Sequence, residues 1–163
     1  MASIGPNLRQ LLPTAGTWAA PFTIYYVLLC ARVVYQRIKH RVPLGQNITY
    51  SKKDKPSDSA PAHPVDDPLE VAIRCQGNFQ ENVPLAYALL VVCELNGGDK
   101  KYLNYVAGFL FAARVAHADF GLMKKGRHAG NGVGRPLGFL GSTVVLLGLS
   151  VYSGWLIKGY WGF

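Results

Sequence analysis

Apolar residues in this chain are gathered into four long blocks rather than spread at amphipathic spacing. At about 1.5 Å per residue, each block is long enough to cross roughly 30 Å of hydrocarbon as an α-helix. The pattern therefore predicts an all-α, integral membrane four-helix bundle that forms one domain over residues 1–163. The predicted spans cover residues 14–35, 69–95, 102–123 and 136–157.

The longest hydrophilic segment, residues 41–67, separates the first two blocks. It is rich in lysine and proline and cannot bury a core, so we expect a flexible link. Ten positive residues flank or occupy this segment and the third loop, which joins the third block to the fourth. Only four lie at the opposite ends of the spans. The positive-inside rule then predicts that these two loops are cytosolic and that both termini lie across the membrane.

Composition and charge exclude several classes of function. Half of the residues are hydrophobic and only 16% are charged. The net charge of +8 does not indicate nucleic-acid binding, because the positive residues lie at and inside the spans rather than on one basic face. The three cysteines lie in apolar blocks without CxxC pairing, which argues against a disulfide framework and a metal site.

The second block carries a polar stripe inside an otherwise apolar stretch. Arg74, Asn78 and Glu81 fall on one face of a helix. Ionisable groups at membrane depth cost about 2.5 to 3.5 kcal/mol each, so they usually face a bundle interior where a partner or ligand compensates them. An Arg74–Glu81 pair that only fixes helix packing is the structural alternative. The surplus of positive charge elsewhere in the spans favours an anionic ligand.

The third block adds Arg114 and His117, which are three residues apart and share a helical face. Asp119 lies on the opposite face, so the spacing excludes it from this pair. A single histidine in a helix is more often a packing residue than a ligand group. Its position beside an intramembrane arginine favours a functional role.

These residues resemble the family of membrane-associated proteins in eicosanoid and glutathione metabolism. The pattern consists of Arg74-x3-Asn78-x2-Glu81-x2-Pro84 in the second block, Arg114-x2-His117 in the third, and Arg135 at the start of the fourth. The resemblance implies a microsomal glutathione transferase-like homotrimer of four-helix subunits that binds glutathione between neighbouring subunits. Because the endoplasmic reticulum is the commonest location of that family, the resemblance also implies this location.

Glutathione carries two carboxylates and one ammonium, and arginine binds carboxylates well because its planar fork can donate two hydrogen bonds. By resemblance, the residues that bind it come from the first three spans: Arg37, Arg74, Asn78, Glu81, Arg114 and His117. For the first span the chain offers Arg32, Arg37 and Arg41, and we favour Arg37.

Arg135 resembles the catalytic arginine of the family. A positive charge beside a thiol favours the thiolate, which is the reactive form. The structural alternative for Arg135 is that it only anchors the fourth span at the cytosolic side of the membrane. Gly121 and Phe139 stand where eicosanoid synthases place aromatic hydroxyls near the sulfur, a departure that argues against an eicosanoid-specific reaction.

The sequence thus favours a membrane enzyme that activates glutathione for conjugation to a hydrophobic electrophile, or for reduction of a lipid peroxide, with this second substrate entering from the lipid bilayer. Two alternatives stay open. One is a non-catalytic lipid-binding relative, and the other is a structural helical scaffold or transporter subunit.

Overall fold

The structure is a computed structural model that describes residues 11–45, 68–123 and 133–162. Over these ranges the chain forms four long helices that pack into a bundle, which confirms the all-α fold. A π-helical segment extends the third helix, and a 3-10 turn follows the fourth. The elements are α1 (Pro13–His40), α2 (Pro68–Leu95), α3 (Lys100–Val115), the π-helix (Ala116–Leu122), α4 (Gly134–Leu156) and the 3-10 turn (Lys158–Trp161).

The helices begin and end close to the predicted blocks, with two differences: α1 continues beyond residue 35 to His40, and the third block is not a single α-helix. There the α-helix ends at Val115, and the chain continues to Leu122 with the wider π-helical winding. By length and composition, Pro13–His40 and Gly134–Tyr160 are apolar enough to cross a membrane. Crossing by α2 and α3 stays a prediction, because α2 carries four charged residues and α3 is only 16 residues long. Most of the predicted flexible loop, residues 46–67, lies outside the described residues.

The outer surface of the bundle is apolar, as expected for helices that face lipid. Large side chains such as Ile24 on α1 and Leu147 on α4 are more than half exposed. Inside, aromatic rings from three helices meet. The Phe22 and Phe111 ring centroids lie 5.4 Å apart in an edge-to-face arrangement, and Phe79 packs against Phe22 from α2. These contacts hold α1, α2 and α3 together.

One end of the bundle is closed by hydrogen bonds between helices. The residue before α1 is Leu12, whose side chain cannot accept hydrogen bonds from the first amides of the helix. The buried carboxylate of Glu94, near the end of α2, supplies the missing acceptors. Its two oxygens lie 2.7 Å from the Thr14 nitrogen and 2.9 Å from the Ala15 nitrogen. The Tyr87 hydroxyl donates to the Ala15 carbonyl at the same place.

The opposite end contains the last turns of α1, the first turns of α2, the π-helix and the start of α4. A small apolar cluster of Val33, Val42, Leu69 and Ala72 joins α1 to α2 there. The main core lies on the other side of this cluster, towards the closed end. Most of the predicted site residues lie at the end that carries this small cluster.

Candidate functional site: a polar cleft between three helical elements

A cleft of about 540 Å³ opens between α2, the π-helix and α4. We call it the polar cleft, and it brings together four predicted site residues: Arg74, Asn78, His117 and Arg135. The remaining lining residues are Leu122, Pro136 and Phe139. Among the described residues, the lining contains two guanidinium groups and no carboxylate, which suits an anionic ligand.

Glycine allows the π-helix and α4 to approach closely enough to form the cleft. A Cβ atom on Gly121 would lie 2.7 Å from the Arg135 nitrogen, and one on Gly134 would lie 2.8 Å from the Gly121 nitrogen. Both distances are too short for a side chain, so the two backbones are in direct contact. This packing leaves no room for a larger side chain at position 121. Phe139, which lines the cleft, supplies a ring without a hydroxyl.

Arg74 is held by an acid that the sequence interpretation overlooked. Its Nε and one terminal nitrogen donate to the same Glu70 oxygen at 3.0 and 2.7 Å. The pair has the favourable (i, i+4) spacing, whereas Glu81 does not pair with Arg74. About 61% of the Arg74 side chain stays exposed, so it can still meet a ligand in the cleft. The second Glu70 oxygen is buried and has no hydrogen-bond partner among the described residues.

His117 is fixed by the backbone of α4. Its Nδ1 lies 3.0 Å from the Arg135 carbonyl oxygen. A carbonyl oxygen can only accept, so this hydrogen bond requires the proton on Nδ1. In the neutral ring, Nε2 is then left as an acceptor. The bond also ties the imidazole to the residue whose side chain lines the same cleft.

Three predicted site residues are outside the lining of the cleft. The Arg37 side chain caps the end of α1, donating to the carbonyls of Val42 and Pro43 at 3.4 and 3.3 Å. Arg114 is buried, and one of its terminal nitrogens donates to the Gly138 carbonyl. This contact indicates that Arg114 joins α3 to α4. Glu81 is exposed on the surface of α2, one turn beyond Asn78.

The sequence interpretation missed a polar cluster between α1 and the π-helix. An Arg32 terminal nitrogen lies 2.6 Å from one Asp119 oxygen, and the Tyr25 hydroxyl donates to the other at 3.0 Å. We call these three residues the π-helix clamp. The rule that intramembrane charges are usually paired could have found it, because Arg32 and Asp119 are both charged residues within apolar blocks.

The chemistry of the polar cleft follows from its donors. Guanidinium groups can bind carboxylates and stabilise a nearby thiolate, and an imidazole can donate or accept a hydrogen bond. Within the described ranges, no group of three or more histidine, cysteine or acidic side chains is arranged to hold a metal ion. The cleft is thus suited to an organic anion.

Comparison with known protein families gives a match over most of the chain. The model of the MAPEG family matches residues 15–155, which include every residue that lines the polar cleft. No curated protein and no solved structure matches the chain significantly.

Proposed function

Because the chain belongs to the MAPEG family of membrane proteins in glutathione and eicosanoid metabolism, we propose that it is a glutathione-dependent enzyme that acts on a hydrophobic substrate. The observation that carries the proposal is the meeting of Arg74, Asn78, His117 and Arg135 in one cleft. Glutathione is the cosubstrate in this proposal. Its thiolate either attacks a hydrophobic electrophile directly or reduces a lipid peroxide.

The charges of the cleft fit most of glutathione. Arg74 is available for one carboxylate, and the imidazole of His117 and the amide of Asn78 offer further hydrogen bonds. The ligand ammonium needs an acid, and the exposed carboxylate of Glu81 lies outside the cleft of a single subunit. This arrangement supports a site completed between subunits, as in the homotrimer that the family resemblance implies.

Arg135 is the proposed activating residue. A free thiol has a pKa of about 8.5 and is only a few per cent ionised at neutral pH. A guanidinium beside the sulfur lowers the thiol pKa and raises the thiolate fraction. The first turn of α4, where Arg135 lies, also presents the positive end of the helix dipole. Arg135 in the cleft favours an enzyme over a non-catalytic lipid binder.

The setting of the proposed enzyme is the endoplasmic reticulum, with four membrane crossings and the cleft at the cytosolic side. The positive-inside count supports the cytosolic side, because the described helix ends that flank the two positively charged loops lie at the end of the bundle that carries the cleft. Leu137 and Leu140, on the first turns of α4, are more than half exposed on the outer surface of the bundle. A substrate dissolved in the bilayer could approach along this surface.

Arg135→Ala tests the proposal. We expect bound glutathione to be retained, because Arg74, Asn78 and His117 still line the cleft, while the ultraviolet absorbance of its thiolate is lost. Turnover at neutral pH should fall by about tenfold for each unit by which the thiol pKa rises, and it should recover partly as the pH is raised. Lys101→Ala, which removes an exposed cation from the far end of the bundle, is the matched control.

Two results would contradict the proposal. If the wild-type protein binds no glutathione, the function is wrong. If Arg135→Ala keeps both the thiolate band and normal turnover, Arg135 is not the activating residue. Arg135→Lys separates the effect of charge from that of the planar guanidinium, because lysine keeps only the charge.

A further inference from the structure

The π-helix is held on two opposite sides. On one side, Asp119 binds Arg32 and Tyr25 of α1 at 2.6 and 3.0 Å. On the other side, His117 is bonded to the Arg135 carbonyl of α4 at 3.0 Å. The two anchoring residues, Asp119 and His117, are separated by only one position, so the register of the segment is set between them.

The π-helix is a rare form of winding, usually found as short insertions at functional sites. We therefore expect contacts with neighbouring helices to support it. The wider turn here includes His117, the only residue of the segment apart from Leu122 that lines the polar cleft. Relaxation of residues 116–122 to ordinary α-helical winding would rotate the segment. It would therefore carry the imidazole away from its present position.

We propose that Asp119 is a positioning residue, which holds the π-helix through the clamp and thereby keeps His117 in the polar cleft. The inference rests on the proposed function for its effect on glutathione, but the structural effect of the clamp can be measured without any ligand. Asp119 itself does not line the cleft. Its influence on a ligand is therefore indirect.

The geometry of the clamp explains why a carboxylate is required. Both Asp119 oxygens are used, one by the Arg32 guanidinium and the other by the Tyr25 hydroxyl. An asparagine has nearly the same size but offers only one acceptor oxygen and no charge. The clamp is only partly exposed, at 36% for the Arg32 side chain and 27% for that of Asp119. Loss of the Asp119 charge would leave the Arg32 guanidinium without this ion-pair partner among the apolar helices.

The test compares Asp119→Asn with Glu94→Gln in the full-length protein in detergent or nanodiscs. Glu94→Gln is the matched control because it also neutralises an acid that binds α1, but at the closed end of the bundle. Hydrogen–deuterium exchange of residues 116–122 is the direct measurement. We expect Asp119→Asn to speed this exchange by about tenfold, as a loss of roughly 1.4 kcal/mol in local stability would. Glu94→Gln should leave it unchanged.

Enzyme kinetics supply the second measurement. We expect Asp119→Asn to raise the KM for glutathione several-fold with a smaller change in kcat, because His117 is proposed to bind rather than to react. Asp119→Glu keeps the charge and should restore part of the binding. A general loss of stability would affect Glu94→Gln equally, so that control separates positioning from destabilisation.

The outcomes for the two proposals are distinct. Faster exchange of the π-helix in a protein that shows no glutathione turnover supports the clamp and refutes the proposed function. The clamp is refuted if Asp119→Asn leaves the exchange unchanged. It is also refuted if Glu94→Gln accelerates the exchange of residues 116–122 to the same extent.

Discussion

Gly138 is the position where the smallest possible addition tests the contact between α4 and the π-helix. A Cβ atom there would lie 2.8 Å from the Ala113 carbonyl oxygen and 2.9 Å from Cγ of His117, and closer still to the His117 Cβ. Gly148, ten residues later in the same helix, has no atom within 4 Å of the same addition. Gly138→Ala and Gly148→Ala therefore form a matched pair.

The expected magnitudes follow from these distances. For Gly138→Ala, the closest neighbour, the Cβ of His117, must move by about 1 Å to reach ordinary van der Waals contact, and overpacking of this kind costs about 1–3 kcal/mol. The higher helix propensity of alanine offsets up to about 1 kcal/mol of this destabilisation. We expect a net destabilisation of about 1–2 kcal/mol, or a fall in Tm of roughly 2–8 °C. Gly148→Ala receives only the propensity gain and should be neutral or slightly more stable.

Thermal unfolding in one detergent measures both variants, and glutathione affinity measures the consequence for the cleft. Because the added methyl group pushes directly on His117, Gly138→Ala should weaken glutathione binding, whereas Gly148→Ala should not. If the two variants unfold at the same temperature and bind glutathione equally, the close contact between α4 and the π-helix is wrong.

Two further predictions concern acids on α2. Glu94→Gln should destabilise the protein by about 2 kcal/mol, because one of two amides that now donate to a carboxylate loses its acceptor; an unchanged Tm would mean that the first turn of α1 does not depend on this acid. Glu81→Gln should reduce the increase in Tm caused by glutathione while leaving the ligand-free Tm nearly unchanged, because Glu81 is exposed and is proposed to meet the ligand ammonium. The opposite pattern, a lower ligand-free Tm with an unchanged ligand effect, would make Glu81 structural.

The apolar blocks were sufficient to predict four helices because burial in lipid and in the bundle both require long apolar runs. The site was harder to predict. Helical spacing grouped Arg74, Asn78 and Glu81, and the first two line the cleft whereas Glu81 does not. It could not show that His117 and Arg135 come together, because that contact depends on how closely two elements approach.

Two features depended on partners that are distant in the sequence. The change from α-helix to π-helix at Ala116 has no clear local signal, and contacts with α1 and α4 support it. Arg114 looked like a ligand group because of its spacing from His117, yet its buried guanidinium donates to a carbonyl of α4. By contrast, the spacing of Glu70 and Arg74 was visible in the sequence and could have indicated their pairing.

The acceptor that Glu94 provides for the start of α1 has a consequence for biosynthesis. Thr14 and Glu94 are 80 positions apart, so the ribosome must complete nearly all of α2 before the first amides of α1 can find this carboxylate. Until then, those amides must be satisfied by water or lipid headgroups at the membrane surface. The first turn of α1 is thus completed by a helix that follows it in the chain, so α1 gains its final hydrogen bonds only when α2 packs beside it.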